Sequence, residues 1–106
     1  MSDKNIGHGE QLSPDQALNL AREFKAGRDL IRAENICRQI LKAAPEYHPA
    51  YHELGLMVAD KGQLSDATQL VSQAIALNDR IYVYHRNLCE LYRRLGSLGK
   101  AVAAGQ

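Results

Sequence analysis

The 106-residue sequence is short of the features that mark several common classes of protein. It holds only two cysteines, Cys37 and Cys89, and their spacing matches neither a zinc-binding nor a redox motif. Thirteen basic residues are balanced by twelve acidic ones, so the net charge of +1 creates no general attraction to nucleic acid. No apolar run approaches the roughly 20 residues of a membrane span. These absences predict buried free thiols and neither a nucleic-acid nor a membrane partner.

Motifs for catalysis and for cofactor or metal binding are also missing. The glycines are dispersed, no glycine-rich phosphate loop occurs, and no G-x-S-x-G sequence is present. His48 and His52 have the spacing of two metal ligands on one helix face, but the sequence offers no third ligand. The carboxylates, among them Glu34, Glu53 and Glu90, are expected on solvated helix faces. The sequence therefore predicts no catalytic residues, no cofactor and no metal.

What the sequence does contain is a repeat of 34 residues. Apolar, aromatic and small residues recur in one phase in three successive copies. They are Leu20, Leu54 and Leu88; Phe24, Val58 and Tyr92; and Ala33, Ala67 and Ala101. A chain that repeats in this way is built from stacked helical hairpins, whose helices cross where the side chains are smallest.

The second copy resembles the tetratricopeptide repeat almost position by position. It reads Tyr51-x-x-Leu54-Gly55-x-x-Val58, then Gly62, then Ala67-x-x-x-Val71-x-x-Ala74. The resemblance implies an all-α fold, in which helix-turn-helix hairpins stack as a right-handed α-solenoid of about two and a half repeats. Gly62 and Gly96 follow apolar runs and are expected to end helices, whereas Gly27 lies one residue before their phase.

Helix and domain bounds follow from the capping signals. The capping box Ser13-Pro14-Asp15-Gln16 predicts that the first helix begins at residue 14. Residues 1–12 are predicted to be a mobile tail before a repeat domain of residues 13–106. The helices are expected over about 14–27, 30–43, 49–61, 65–77 and 82–95, with a sixth beginning at Leu98. The repeats are expected over about 14–47, 48–81 and 82–106, and the last of them is incomplete. Because no polar capping helix is recognised, the sequence is expected to be the front of a longer array.

The resemblance also implies a concave groove, lined by the first helix of each repeat, that binds a peptide or a partner protein. The residues implied to bind the peptide have the spacing of a single helix face. They are Leu18, Arg22, Lys25, His52, Leu56, Val83, Arg86, Glu90, Arg93 and Arg94, with Asp15, Ala59 and Asp60 beside them. Guanidinium groups pair bidentately with carboxylates, so an acidic peptide is the favoured ligand. The alternative is that the five basic side chains of this set are solvated and bind no ligand. They are Arg22, Lys25, Arg86, Arg93 and Arg94.

The function predicted is therefore a non-catalytic protein-interaction module, with the cytoplasm as its expected location. The alternative is a structural domain that forms a homodimer through its uncapped third repeat. The stretch from Ala26 to Gly55 also looks like the amino-terminal repeats of bacterial proteins that carry a glycosyltransferase or sulfotransferase domain. Such arrays precede many different domains, so this likeness implies a bacterial origin and no catalytic residue.

Overall fold

A computed structural model describes the backbone of residues 12–104 and the side chains of residues 12–97. Its helices are α1 (Pro14–Ala26), α2 (Leu30–Ala43), α3 (His48–Asp60), α4 (Leu64–Leu77) and α5 (Tyr82–Ala104). No strand occurs between residues 12 and 104. The expected all-α fold is confirmed, and α1 to α4 each begin and end within about one residue of the predicted positions. The predicted tail, apart from Leu12, lies outside the described residues.

The first two helices begin with side-chain caps. Ser13 Oγ accepts a hydrogen bond of 3.1 Å from the backbone N–H of Gln16, and Gln16 Oε1 accepts one of 2.9 Å from the backbone N–H of Ser13. The carboxylate of Asp29 accepts a bond of 3.2 Å from the backbone N–H of Arg32. These bonds satisfy donors that a helix terminus would otherwise leave unpaired, so the capping box predicted from the sequence is confirmed.

The turn between α1 and α2 uses an arginine where the next hairpin uses a glycine. Gly62, between α3 and α4, has a φ of 87°, and Arg28, one repeat earlier, has a φ of 68°. Gly27 keeps a φ of −84°. The left-handed conformation therefore follows the phase of the repeat and not the position of the glycine. Arg28 carries the steric cost of a Cβ atom in that conformation.

The helices of the second hairpin cross at small residues, as predicted. A Cβ atom added to Gly55 on α3 would lie 2.8 Å from Val71 Cγ2 and 3.3 Å from the carbonyl oxygen of Ala67, both on α4. Ala21 and Ala33 are fully buried in the first hairpin. The core is continuous through the stacked hairpins, and its largest fully buried side chains are those of Cys37, Leu54, Met57, Val58 and Val71.

The third repeat differs from its prediction. α5 continues through Gly96 to Ala104 as one helix, so the predicted end at residue 95 and the separate helix from Leu98 are wrong. A single glycine costs a helix only about 1 kcal/mol relative to alanine, and it ends a helix only where the following residues leave the helical path. Because α5 does not turn back, Cys89 is exposed, which corrects the prediction of a buried thiol there; Cys37 is buried as predicted.

Candidate binding face

The first helices of the three repeats, α1, α3 and α5, carry the residues predicted to bind a peptide. α1 contacts α3 directly, and hydrogen bonds from His48 and His52 on α3 reach residues of α5. We call the surface shared by these helices the first-helix face. The residues predicted to lie on it are Asp15, Leu18, Arg22 and Lys25 on α1; His52, Leu56, Ala59 and Asp60 on α3; and Val83, Arg86, Glu90, Arg93 and Arg94 on α5.

Three members of this set are buried instead of lining a surface. Leu18 is 2% exposed, Ala59 is 3% exposed and His52 is 8% exposed. Leu18 and Ala59 belong to the core, because the first helices pack against their own hairpin partners as well as against one another. The side chains that remain accessible are the half-buried Lys25, Leu56, Val83 and Arg94 and the exposed Asp15, Arg22, Asp60, Arg86, Glu90 and Arg93.

Glu53 on α3 neutralises part of the basic charge on α1. Its carboxylate lies 2.9 Å from Arg22 Nε and 3.7 Å from Lys25 Nζ. The residue is only 9% exposed, so the prediction that Glu53 lies on a solvated face is wrong. A buried carboxylate without partners would be strongly destabilising, and the two cations remove that cost. Arg22 and Lys25 are therefore already engaged before any ligand binds.

Glu34 on α2 is a second buried carboxylate, so the prediction that it lies on a solvated helix face is wrong. It is 8% exposed, and its oxygens lie 3.0 Å from Lys61 Nζ and 3.8 Å from Arg38 Nη2. Lys61 follows α3, so this contact ties the first hairpin to the second. It joins α2 to the end of α3 and so contributes to the stacking of the repeats.

A hydrogen-bonded group of aromatic and amide side chains joins α3 to α5. His48 Nδ1 is 2.8 Å from the hydroxyl of Tyr84, and His48 Nε2 is 3.3 Å from the amide nitrogen of Asn78. The amide of Asn87 donates to His52 Nε2 over 2.9 Å, and the rings of His52 and Tyr84 lie 4.5 Å apart. Both histidines thus bridge repeats. Among the described residues, no three His, Cys, Asp or Glu side chains are grouped so that they could hold a metal ion.

Burial disfavours the charged forms of two members of this group, His52 and Tyr84. It lowers the pKa of His52 and raises the pKa of Tyr84. Tyr47 donates a hydrogen bond to the carboxylate of Asp15, and burial together with that bond raises the pKa of Tyr47 to about 12. The charges available on the first-helix face are therefore those of its arginine, lysine, glutamate and aspartate side chains.

Of the three arginines predicted on the α5 part of this face, Arg93 forms an ion pair, whereas Arg86 and Arg94 have no such partner among the described side chains. Arg93 binds Glu90 through contacts of 3.0 Å and 2.6 Å, and this bond holds the pKa of Glu90 below its ordinary value. Arg86 lies 6.0 Å from the centre of the Tyr82 ring. Among the side chains of residues 12–97, neither Arg86 nor Arg94 has a carboxylate within ion-pair distance. A surface depression of about 480 Å³ beside Arg94 is lined also by Gly62, Leu64, Arg93 and Ser97.

The residues joined by side-chain hydrogen bonds over 30 or more positions were not recognised as a group from the sequence. They are Asp15, Arg22, Tyr47, His48, His52, Glu53, Asn78, Tyr84 and Asn87. The partners in these bonds are between 30 and 36 residues apart. That separation is close to the length of one repeat. Complementary polar residues about one repeat apart are therefore the sequence signal that indicates these contacts.

No family model matches the chain. Among solved structures, it is similar to a mutant of the O-GlcNAc transferase of Thermobaculum terrenum, with a TM-score of 0.67 and 27% sequence identity. The match covers 77% of this chain and 16% of the transferase chain. It supports a helical repeat of the tetratricopeptide type, and this chain spans only a small part of the length of the protein that it matches.

Proposed function

We propose that this chain is a non-catalytic protein-interaction module that binds a peptide segment of a partner protein along the first-helix face. The observation that carries the proposal is the pair Arg86 and Arg94, which have no carboxylate partner among the described side chains and share α5 with the half-buried Val83. Leu56 on α3 offers a second half-buried apolar contact. Cations beside accessible apolar groups suit a peptide that carries both acidic and apolar residues.

The arrangement of the repeats favours an extended ligand over a compact one. The face draws on α1, α3 and α5, and its exposed side chains occur on each of these helices. Polar bridges from Glu53 to α1 and from His52 to α5 hold the three helices in register. A surface that is ordered before binding loses less conformational entropy when a peptide docks on it.

We expect the acidic end of the ligand to lie near α5, because the free positive charge of the first-helix face is concentrated there. Arg22 and Lys25 both pair with the buried carboxylate of Glu53. Arg93 forms an ion pair with Glu90, so three of the five predicted basic side chains already have partners. Arg86 and Arg94 are left to pair with a carboxylate on the ligand. We expect them to determine the register of the peptide, while Leu56 and Val83 supply contacts that salt does not screen.

The test is a charge reversal at Arg86 and Arg94. An acidic peptide is selected from a library with the unmodified chain, and its dissociation constant is measured by calorimetry at low and at moderate salt. Arg86→Glu combined with Arg94→Glu should weaken binding about tenfold or more, since each hydrogen bond to a charged group contributes about 1.5–3 kcal/mol. For the unmodified chain, added salt should weaken binding without abolishing it.

The matched control reverses two cations outside the first-helix face. Lys42 on α2 and Arg80 before α5 are both exposed, so Lys42→Glu with Arg80→Glu makes the same change in net charge. This control should bind the peptide as the unmodified chain does. Equal weakening by both pairs, or undiminished binding after reversal at Arg86 and Arg94, contradicts the proposal.

A further inference from the structure

The positive charge of the first-helix face is confined to α5. On that helix the predicted face holds three arginines and one carboxylate. On α1 and α3 together, its two cations, Arg22 and Lys25, are accompanied by two exposed carboxylates. These are Asp15 and Asp60. Because Glu53 on α3 adds a third carboxylate beside the two cations, this part of the face carries no net positive charge. A ligand therefore meets a positive surface only at α5.

Glu53 differs from the other two carboxylates in being nearly inaccessible to solvent. Its side chain is only 11% exposed, and its two oxygens contact different cations. Oε2 lies 2.9 Å from Arg22 Nε, and Oε1 lies 3.7 Å from Lys25 Nζ. A charge that is withdrawn from water in this way is screened only weakly by salt. Glu53 thus acts on the α1 part of the face as a carboxylate ligand that is already bound.

An acidic residue of a ligand would have to compete with Glu53 for the same two cations. If the ligand drew Arg22 away, the buried carboxylate would keep only the longer contact to Lys25, and removing a partner from a buried ion pair is strongly unfavourable. If Arg22 stayed in place, the carboxylate of the ligand would lie close to that of Glu53, and like charges repel. In both cases an acidic residue gains little at α1.

Arg22 can nevertheless bind an uncharged group of a ligand. Its hydrogen bond to Glu53 is donated by Nε, and its side chain is 51% exposed. A guanidinium group has five N–H donors, so donors on the Nη groups remain for an oxygen acceptor from solvent or from a ligand. A peptide carbonyl oxygen or a side-chain amide accepts such a bond without placing a negative charge beside Glu53.

We propose that Glu53 is a specificity-determining residue, which restricts the ligand of the first-helix face to peptides that are acidic at one end only. The acidic end lies on α5, and the end that lies on α1 carries no acidic residue. This role of Glu53 depends on the proposed binding of a peptide and adds to it a class of peptide that the face rejects. Packed helices lie about 8–10 Å apart, so α1 and α5 are separated by about 20 Å, or about six extended residues.

The test removes the charge of Glu53 and keeps the shape of its side chain, with Glu53→Gln. The acidic peptide selected on the unmodified chain is made with glutamine at the fifth, sixth and seventh residues from its acidic end, and then with glutamate at each of these positions in turn. Calorimetry gives the dissociation constant of each peptide. With the unmodified chain, no glutamate peptide should bind more tightly than its glutamine parent. With Glu53→Gln, at least one should bind about tenfold more tightly than the parent, because Arg22 and Lys25 are then free to pair with it.

The matched control is Glu34→Gln, which removes the other buried carboxylate that contacts two cations. It makes the same change in net charge and leaves Arg22 and Lys25 paired with Glu53, so the glutamate peptides should gain no affinity. An equal gain in both variants, or no gain with Glu53→Gln, overturns the role of Glu53. Either result leaves the proposed function intact, because the unmodified chain still binds the parent peptide. If the unmodified chain binds no acidic peptide, the proposed function and the role of Glu53 are both wrong.

A second measurement uses only the unmodified chain, so it decides the matter even if Glu53→Gln fails to fold. The peptide library is sequenced before and after selection on the chain, and the selected peptides are aligned on their acidic residues. We expect acidic residues to be enriched at one end and depleted at the positions about six residues away. Selected peptides that are acidic at both ends contradict the role of Glu53 alone. A selection that enriches no acidic residues contradicts the proposed function as well.

Discussion

Buried polar side chains decide which surface groups of this molecule remain available for binding. Glu53 is nearly inaccessible and holds Arg22 and Lys25, so those cations act first on the stability of the stack. His52 is buried as well, and its Nε2 accepts a hydrogen bond from the amide of Asn87. The residues left for a ligand are consequently fewer than the ten predicted, and they are concentrated on α5.

The pH dependence of stability should report on His52. Its pKa in the folded protein lies below the ordinary value because of burial, whereas the unfolded chain keeps a value of about 6.5. The unfolded state therefore binds protons more readily than the folded state. The contribution of His52 to the free energy of unfolding is fully present above about pH 6.5 and is lost as the pH falls towards the folded pKa. In urea unfolding at a series of pH values, His52→Gln should reduce the loss of stability at acidic pH. The control His85→Gln, at an exposed position, should leave that loss unchanged. Identical pH profiles for the two variants speak against a neutral buried His52.

Close packing at Ala67 gives a second prediction at this scale. Ala67 is fully buried, and its carbonyl oxygen lies near the backbone of Gly55. Ala67→Leu should lower the free energy of unfolding by roughly 1–3 kcal/mol, because the larger side chain forces the two helices apart. Ala76→Leu, at an exposed position of the same helix, should change it by less than about 0.5 kcal/mol. Similar values for the two variants in urea unfolding are incompatible with a helix crossing at Ala67.

Among the helices, α1 to α4 could be placed from the sequence, and α5 could not. Local signals mark the first four: the capping box at Ser13, the proline in the first turn of α3, and small residues at each crossing. After α3, Gly62 leaves the helical path and backbone bonds from Gly62 and Gln63 to Ala59 and Val58 close the turn. Gly96 has the same phase but continues a helix, because a glycine permits a turn without requiring one.

The first inter-helix turn provides a test of the repeat phase. Arg28 has the positive φ that Gly62 adopts one repeat later, and this conformation costs a residue with a Cβ atom about 1–2 kcal/mol. Arg28→Gly should therefore raise the free energy of unfolding by about 0.5–1 kcal/mol, after the added freedom of glycine in the unfolded chain is subtracted. The reciprocal change Gly62→Arg should lower it by about 1 kcal/mol or more. The left-handed turn at Arg28 is ruled out if Arg28→Gly destabilises the protein as a helix-interior glycine does.

For the whole molecule, the repeat period predicted the stack and the location of the first-helix face, but not its electrostatics. Which charges cancel depends on how far one first helix is offset from the next, and a shift of a few ångströms would give Arg22 a different partner from Glu53. The 34-residue period specifies equivalent positions and leaves that offset to packing. None of the described helices is long and apolar enough to cross a membrane. The cytoplasmic location, the bacterial origin and the longer array stay predictions.

Binding of a peptide along the first-helix face of α1, α3 and α5 can be mapped directly by NMR. Backbone amide chemical shifts of the ¹⁵N-labelled chain, followed during titration with an acidic peptide selected on it, test this claim residue by residue. We predict that the largest changes occur at Leu56, Val83, Arg86, Glu90 and Arg94, with small changes on α2 and on the outer side of α4. Changes concentrated on α2 and α4, with α3 and α5 unaffected, would show that the peptide binds elsewhere than on the first-helix face.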